Sequence, residues 1–302
     1  MKSDTRTNLI SRRHMMAGSA AFPLALEPAA QIAGAAPTPP PYTLSINIEI
    51  MFPGQMPKAE RIQRVADQGF KAYSFWSASE ADQDAMLKVQ QQNGMKCASI
   101  SGTGSAGSST GLTKAGQEKA YFDEITARAK IAAKMGGAQP IIFVGRTQPD
   151  VPWATQRAQI VTGLKQAGDI AKEYGVVLVM EPLSSNGTQA RMALETAAVA
   201  FPVIDEVAHP NVKVCFDMYH LQLMEGNIAT HLRQGLAKGW IALVQIGEVP
   251  GRKEPGTGEI DFGYIMRVLR EANYQGYVDT EMGTSTTPEA AMQLTRKMSL
   301  EN

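Results

Sequence analysis

The chain has 302 residues, 44% hydrophobic and 19% charged, and its 29 lysines and arginines balance 29 aspartates and glutamates. It can bury a large core, has no excess charge for holding nucleic acid, and is too apolar to be disordered. No uninterrupted apolar run of about 18 residues exists to span a bilayer.

Residues 1–35 differ from the rest, with Arg12-Arg13 following Ser11, a weakly apolar stretch over 15–26, and Ala33-Gly34-Ala35 before a Pro-rich linker at 36–41. That order reads as a secretory signal with a small-residue cleavage site. The arginine pair resembles a twin-arginine (Tat) signal, which implies export of a folded protein to the periplasm. Cleavage after Ala35 removes Lys2, Arg6, Arg12, Arg13, Asp4 and Glu27, so the mature chain carries a net charge of minus two. Only Cys97 and Cys215 are present, each inside a short apolar run, and both read as buried core thiols rather than a disulfide.

From residue 42 short apolar runs alternate with amphipathic stretches, the pattern of repeated β-α units. Strands are expected at 43–47, 72–75, 96–100, 140–144, 176–180, 212–216, 241–246 and 276–280. Helical periodicity is clear over 57–68, 117–135, 153–174 and 262–272, where apolar residues recur at three- and four-residue intervals. Gly69, Gly94, Gly136-Gly137, Gly175 and Gly276 fall where a helix should end in a left-handed cap before the next strand. Eight strands each followed by a helix predict a single (β/α)8 TIM barrel over 42–302, with long loops only at 101–113 and 248–260.

Active sites of such barrels lie at the C-terminal ends of the strands. Four consecutive strands run into Glu181, Asp217, Gln245 and Glu281, separated by 36, 28 and 36 residues. Three carboxylates sharing one mouth repel one another unless a cation lies between them. An all-oxygen donor set favours Mg²⁺ or Mn²⁺ over Zn²⁺.

The segment Phe216-Asp217-Met218-Tyr219-His220 and the run Val249-Pro250-Gly251-Arg252-Lys253-Glu254-Pro255-Gly256-Thr257-Gly258-Glu259 resemble the hydroxypyruvate isomerase family of xylose-isomerase-like barrels. Met180-Glu181-Pro182-Leu183 upstream and Glu281 downstream extend the likeness over 176–283. The resemblance implies that Glu181, Asp217, Gln245 and Glu281 ligate a divalent metal. It implies too that Glu181 and Glu281 form the acid/base pair, and that His220 and Arg252 contact substrate oxygens. The implied chemistry moves a proton between the carbons of an α-hydroxy carbonyl through an enediolate.

Departures from the family pattern lie in the first half of the barrel. Ser74 stands where relatives carry an acid before the aromatic pair, and the third loop, 101–111, is rich in Gly and Ser without tryptophan. Its Gly102, Gly104 and Gly107 show G-x-G-x-x-G spacing, but no helix opens at the third glycine, so a lid is expected there rather than a dinucleotide site. Trp76 is expected to wall the substrate pocket, with core packing the alternative, while His209 and His231 read as surface or cap residues.

These readings predict a periplasmic isomerase or epimerase acting on hydroxypyruvate or a sugar. Two alternatives are a lyase on 3-keto-glycosides using the same metal site and a non-catalytic sugar-binding barrel. The expected partner is a small molecule, with no nucleic acid, no stable membrane association after cleavage, and a homo-oligomer left open.

Overall fold

The computed structural model describes residues 39–103, 111–113, 115–116, 118–185 and 191–301. The expected signal peptide, the start of the Pro-rich linker, and Gly104 and Gly107 of the third loop lie outside the described residues.

Eight parallel strands close into a barrel in chain order. They are β1 (Thr43–Asn47), β2 (Ala72–Phe75), β3 (Lys96–Ser101), β4 (Gln139–Ile142), β5 (Leu178–Met180), β6 (Val212–Asp217), β7 (Ile241–Ile246) and β8 (Tyr277–Thr280). The predicted strands are all present, with ends displaced by at most two residues. Each is covered on both faces, which is why runs such as Leu178-Val179-Met180 are apolar without alternation.

Around them lie α1 (Lys58–Asp67), α2 (Glu80–Gln92), α3 (Glu118–Lys134), α4 (Trp153–Glu173), α5 (Ala197–Val207), α6 (Met218–Met224), α7 (Ile228–Ala237), α8 (Phe262–Glu271) and α9 (Pro288–Glu301). Eight helices were expected, and nine are found among the described residues. The additional one is α6, a short turn of helix directly after β6, nucleated because Asp217 Oδ1 accepts from the amides of Tyr219 at 2.8 Å and His220 at 3.4 Å. A third long connection, 181–196 between β5 and α5, joins the two anticipated from sequence.

The glycine reading holds at five of six positions. Gly69, Gly94, Gly136, Gly137 and Gly175 have positive φ, whereas Gly276 does not. After α8 the left-handed residue is Asn273, with φ of 48°. Gly276 serves space instead: a Cβ there would lie 2.3 Å from the Tyr274 hydroxyl, which donates to the carbonyls of Ala242 and Tyr277.

Inside the barrel Ile141, Val179, Cys215 and Leu243 form an apolar plug, with Phe143 and Tyr277 against it. Both cysteines are buried and free, as expected. A polar row includes Asp217, Gln245, Asp279 and Ser45, which are successive partners in the registers of β6, β7, β8 and β1.

Candidate active site

Each expected strand-end residue is held by the local backbone. Glu181 continues β5, and its amide donates to the Ile142 carbonyl at 3.1 Å, fixing the point at which the side chain leaves the ladder. Asp217 ends β6 and caps α6, so His220 follows one turn later and faces it, Nε2 3.6 Å from Asp217 Oδ2 and 3.4 Å from Glu181 Oε1. His220 Nδ1 pairs with Ser184 Oγ at 2.8 Å.

Arg252 comes from the loop after β7. Its backbone has φ of 48°, and its amide donates to the Glu248 carbonyl at 2.6 Å. The Glu248 carboxylate, fully buried, folds back to accept from the amides of Gly256 at 2.8 Å and Ile260 at 3.1 Å. That bracing aims the guanidinium: Nη2 lies 3.1 Å from Asp217 Oδ2 and 3.4 Å from Glu281 Oε1, and the group stacks over the Tyr219 ring. Gly258 packs under the same bracing, because a Cβ would lie 2.1 Å from the Val249 carbonyl oxygen.

Glu181, Glu281, His220, Arg252 and Trp76 line one cavity of about 490 Å³ at the C-terminal end of the barrel. Asp217 and Gln245 lie beneath its lining, 1% and 0% exposed. Trp76 is 40% exposed and walls the cavity rather than packing in the core. His209 and His231 lie elsewhere, paired with Asp169 and Glu225. Arg128, Phe143 and Leu183 also line the cavity and escaped the sequence reading, as did Ser184. Asp279 escaped it as well, although it lies two residues before Glu281, which directly follows β8, and a strand's two-residue period directs both inward.

Burial dominates the electrostatics. Desolvation, then the charges of Glu281 and Asp217, hold the Glu181 carboxyl well above the usual carboxylate range, with Arg252 opposing. Glu281 is pushed up to about 7 by burial, against the pull of Arg252 and with further push from Asp217. Burial lowers His220 to about 4, so its imidazole is neutral at physiological pH. Glu281 Oε2 is buried without a hydrogen-bond partner. Glu181, Asp217 and His220 each offer one ligand atom within 4.8 Å of the others, a group that could hold a metal ion.

A closed parallel barrel with buried acids, an arginine and a neutral imidazole at the C-terminal end of its strands defines a barrel enzyme. The family described as xylose isomerase-like TIM barrel matches residues 62–299, and the chain belongs to it. It is similar to hydroxypyruvate isomerase of Escherichia coli K12, 28% identical over 251 residues covering 82% of this chain and 96% of that protein. It is also similar to 2-oxo-tetronate isomerase of Cupriavidus necator, 27% identical and covering 74% and 85% of the two chains. With these relatives the chain is an enzyme of the isomerase class. Among solved structures, a Brucella melitensis protein titled AP endonuclease, family 2 superposes with a TM-score of 0.74 at 21% identity, covering 85% of this chain and 98% of that one. The 3-keto-D-glucoside 4-epimerase of E. coli gives 0.71 at 19% identity, with the same coverage. At such identities these two likenesses concern the fold alone.

Proposed function

We propose that this enzyme is a divalent-metal-dependent isomerase or epimerase of a small α-hydroxy carbonyl compound, hydroxypyruvate or a sugar, with Glu181 and Glu281 as its acid/base pair. The observation that carries the reading is that pair: two buried glutamates on one cavity, both raised above the ordinary range, beside a guanidinium. The relatives named for hydroxypyruvate and 2-oxo-tetronate, both hydroxy-carbonyl compounds, support the substrate class.

Glu181, Asp217, Gln245 and Glu281 would hold the cation, and their oxygen donors suit Mg²⁺ or Mn²⁺. The unpartnered Oε2 of Glu281 and the close carboxylates at Glu181 and Asp217 fit that role. When bound, the ion supplies neutralisation of the acids and polarisation of the substrate carbonyl. An ionised glutamate removes the proton from the carbon bearing the hydroxyl, and the other, protonated, returns one. Return to the neighbouring carbon, with the hydroxyl proton passing to the former carbonyl oxygen, isomerises; return to the same carbon epimerises. Arg252 stabilises negative charge developing on the substrate oxygens, and neutral His220, fixed by Ser184, offers a ring nitrogen to the same atoms.

Proton NMR in D2O with hydroxypyruvate, free sugars and 3-keto-glycosides tests this reading. Deuterium appearing beside a carbonyl only when Mg²⁺ or Mn²⁺ is added is the expected result. Absence of exchange with every compound despite bound Mn²⁺ overturns it, and an elimination product assigns a lyase using the same residues.

We also propose that the enzyme is exported by the twin-arginine route, on the strength of Arg12-Arg13 and the Ala-rich stretch that follows. Replacing both arginines by lysine should hold the precursor in the cytoplasm on cell fractionation; unchanged export overturns the route.

A further inference from the structure

Asp279 is a fully buried carboxyl that lines no part of the cavity, yet it stands in register with Gln245 on β7 and Ser45 on β1. Packing does not account for it, since an apolar residue would fill a barrel interior at lower cost than a desolvated acid. Its contacts suggest another use. Ser74 Oγ, from β2, lies 2.8 Å from both carboxyl oxygens, and Gln245 Nε2 donates to Oδ2 at 3.3 Å. On its other side Gln245 Oε1 accepts from Cys215 Sγ at 3.0 Å.

A carboxamide has nearly the same shape in its two flipped states, so the neighbours decide which end faces which way. One that serves a cation must present oxygen. The flipped state would set Gln245 Oε1 against the Asp279 carboxylate, two acceptors facing each other, and would leave Nε2 to the thiol. We propose that Asp279, itself anchored by Ser74, is a positioning residue: it takes the Gln245 amide nitrogen and so turns the oxygen toward β6, where it meets Cys215 two residues before Asp217. The proposal rests on the reading of Gln245 as a metal ligand. Such outer contacts orient ligands, and losing one weakens metal binding by roughly 10–100-fold.

A double-mutant cycle on Mn²⁺ binding, followed by calorimetry at fixed pH, tests it without any need for substrate. Asp279→Ala should weaken Mn²⁺ by roughly tenfold or more. Asp279→Asn, which keeps an acceptor for Nε2, should stay near wild type. Once Gln245→Ala has been introduced, adding Asp279→Ala should change the dissociation constant by no more than about twofold, because the two act through one ligand. A full additional loss in that background, or an unchanged constant in Asp279→Ala alone, overturns the proposal. An unchanged constant in Gln245→Ala removes the ligand reading itself and this proposal with it, so the two failures are distinct. Should Asp279→Ala not fold, Ser74→Ala reads the same coupling: weaker Mn²⁺ binding in the wild-type background and no further loss in Gln245→Ala supports the proposal, and additivity overturns it.

Discussion

The two halves of the barrel mouth are built from different chemistry. β5 to β8 lead into Glu181, Asp217, Gln245 and Glu281, whereas β1 to β4 lead into Asn47, Trp76, Ser101 and Phe143. The acidic half is braced by groups of its own. Asp217 caps α6, Arg252 reaches both Asp217 and Glu281, and the Glu248 carboxylate ties down the loop that delivers Arg252. Among the described residues the other half has no comparable set of acids; Asn47 Oδ1 accepts from the Glu49 amide, Ser101 Oγ donates to the Thr103 carbonyl, and Trp76 stands open to the cavity. Charge can be buried only where donors and cations are supplied with it, so reaction and shape are divided between the halves. On the function proposed above, the acids do the proton work and the other wall selects what they work on.

That division breaks first at the glutamates. Glu181→Gln and Glu281→Gln keep size and hydrogen bonding but cannot exchange a proton. Each should lower kcat by roughly 10²–10⁴-fold, the usual worth of a positioned acid or base. Circular dichroism should be unchanged. Full activity in either variant would remove that residue from the acid/base pair.

A second consequence concerns stability, and its sign is opposite. Glu281 is raised from 4.5 to about 7 in the folded chain, so between those pH values the folded state binds the proton that the unfolded state has lost. Stability from this group is present at acid pH, falls as pH rises through that window, and levels off above it, by roughly 3 kcal/mol at most. His220, lowered to about 4, works the other way below about pH 6.5, so the contribution of Glu281 is read as the difference from a variant. In chelator-treated protein Glu281→Gln should therefore gain on wild type as pH rises from 5 to 8 in denaturant titrations. Saturating Mn²⁺ should erase much of that gain by stabilising wild type more than the variant. An inactive variant that is the more stable one when chelated would mark the acid cluster as built for reaction at the expense of the fold.

Legibility from sequence follows the same division. Strand-end acids at one-unit spacing are visible because the barrel repeats and because a carboxylate after an apolar run is conspicuous, so Glu181, Asp217, Gln245 and Glu281 could be found from pattern alone. Asp279 was missed because Tyr277-Val278-Asp279-Thr280 reads as strand, and only its two-residue spacing from Glu281 separates an inward acid from an outward one. Arg128 and Ser184 are less accessible still. The first reaches the cavity from α3 and the second from an irregular connection, and neither helix period nor strand period predicts where such a side chain ends. α6 was hidden for a related reason. Its cap is Asp217 itself, a residue already read as a ligand, and seven residues are too few to show periodicity.

The smallest expected effect lies on the wall, and it sharpens the comparison most directly. Trp76 lines the same cavity as the acids, with its side chain in hydrogen-bond reach of Glu281, and is 40% exposed, so its removal takes away contact area without leaving a buried void. Glu181, Asp217, His220 and Arg252 keep their mutual contacts without it. Trp76→Ala should raise KM by roughly fivefold, as loss of an aromatic contact worth about 1 kcal/mol implies, and change kcat less. If the wall reads substrate size, the rise will be larger for a sugar than for a three-carbon acid, whose atoms the acidic half can hold by itself. A fall in kcat with KM unchanged for every substrate would place Trp76 among the groups that act in the transition state, and would dissolve the division between the two halves.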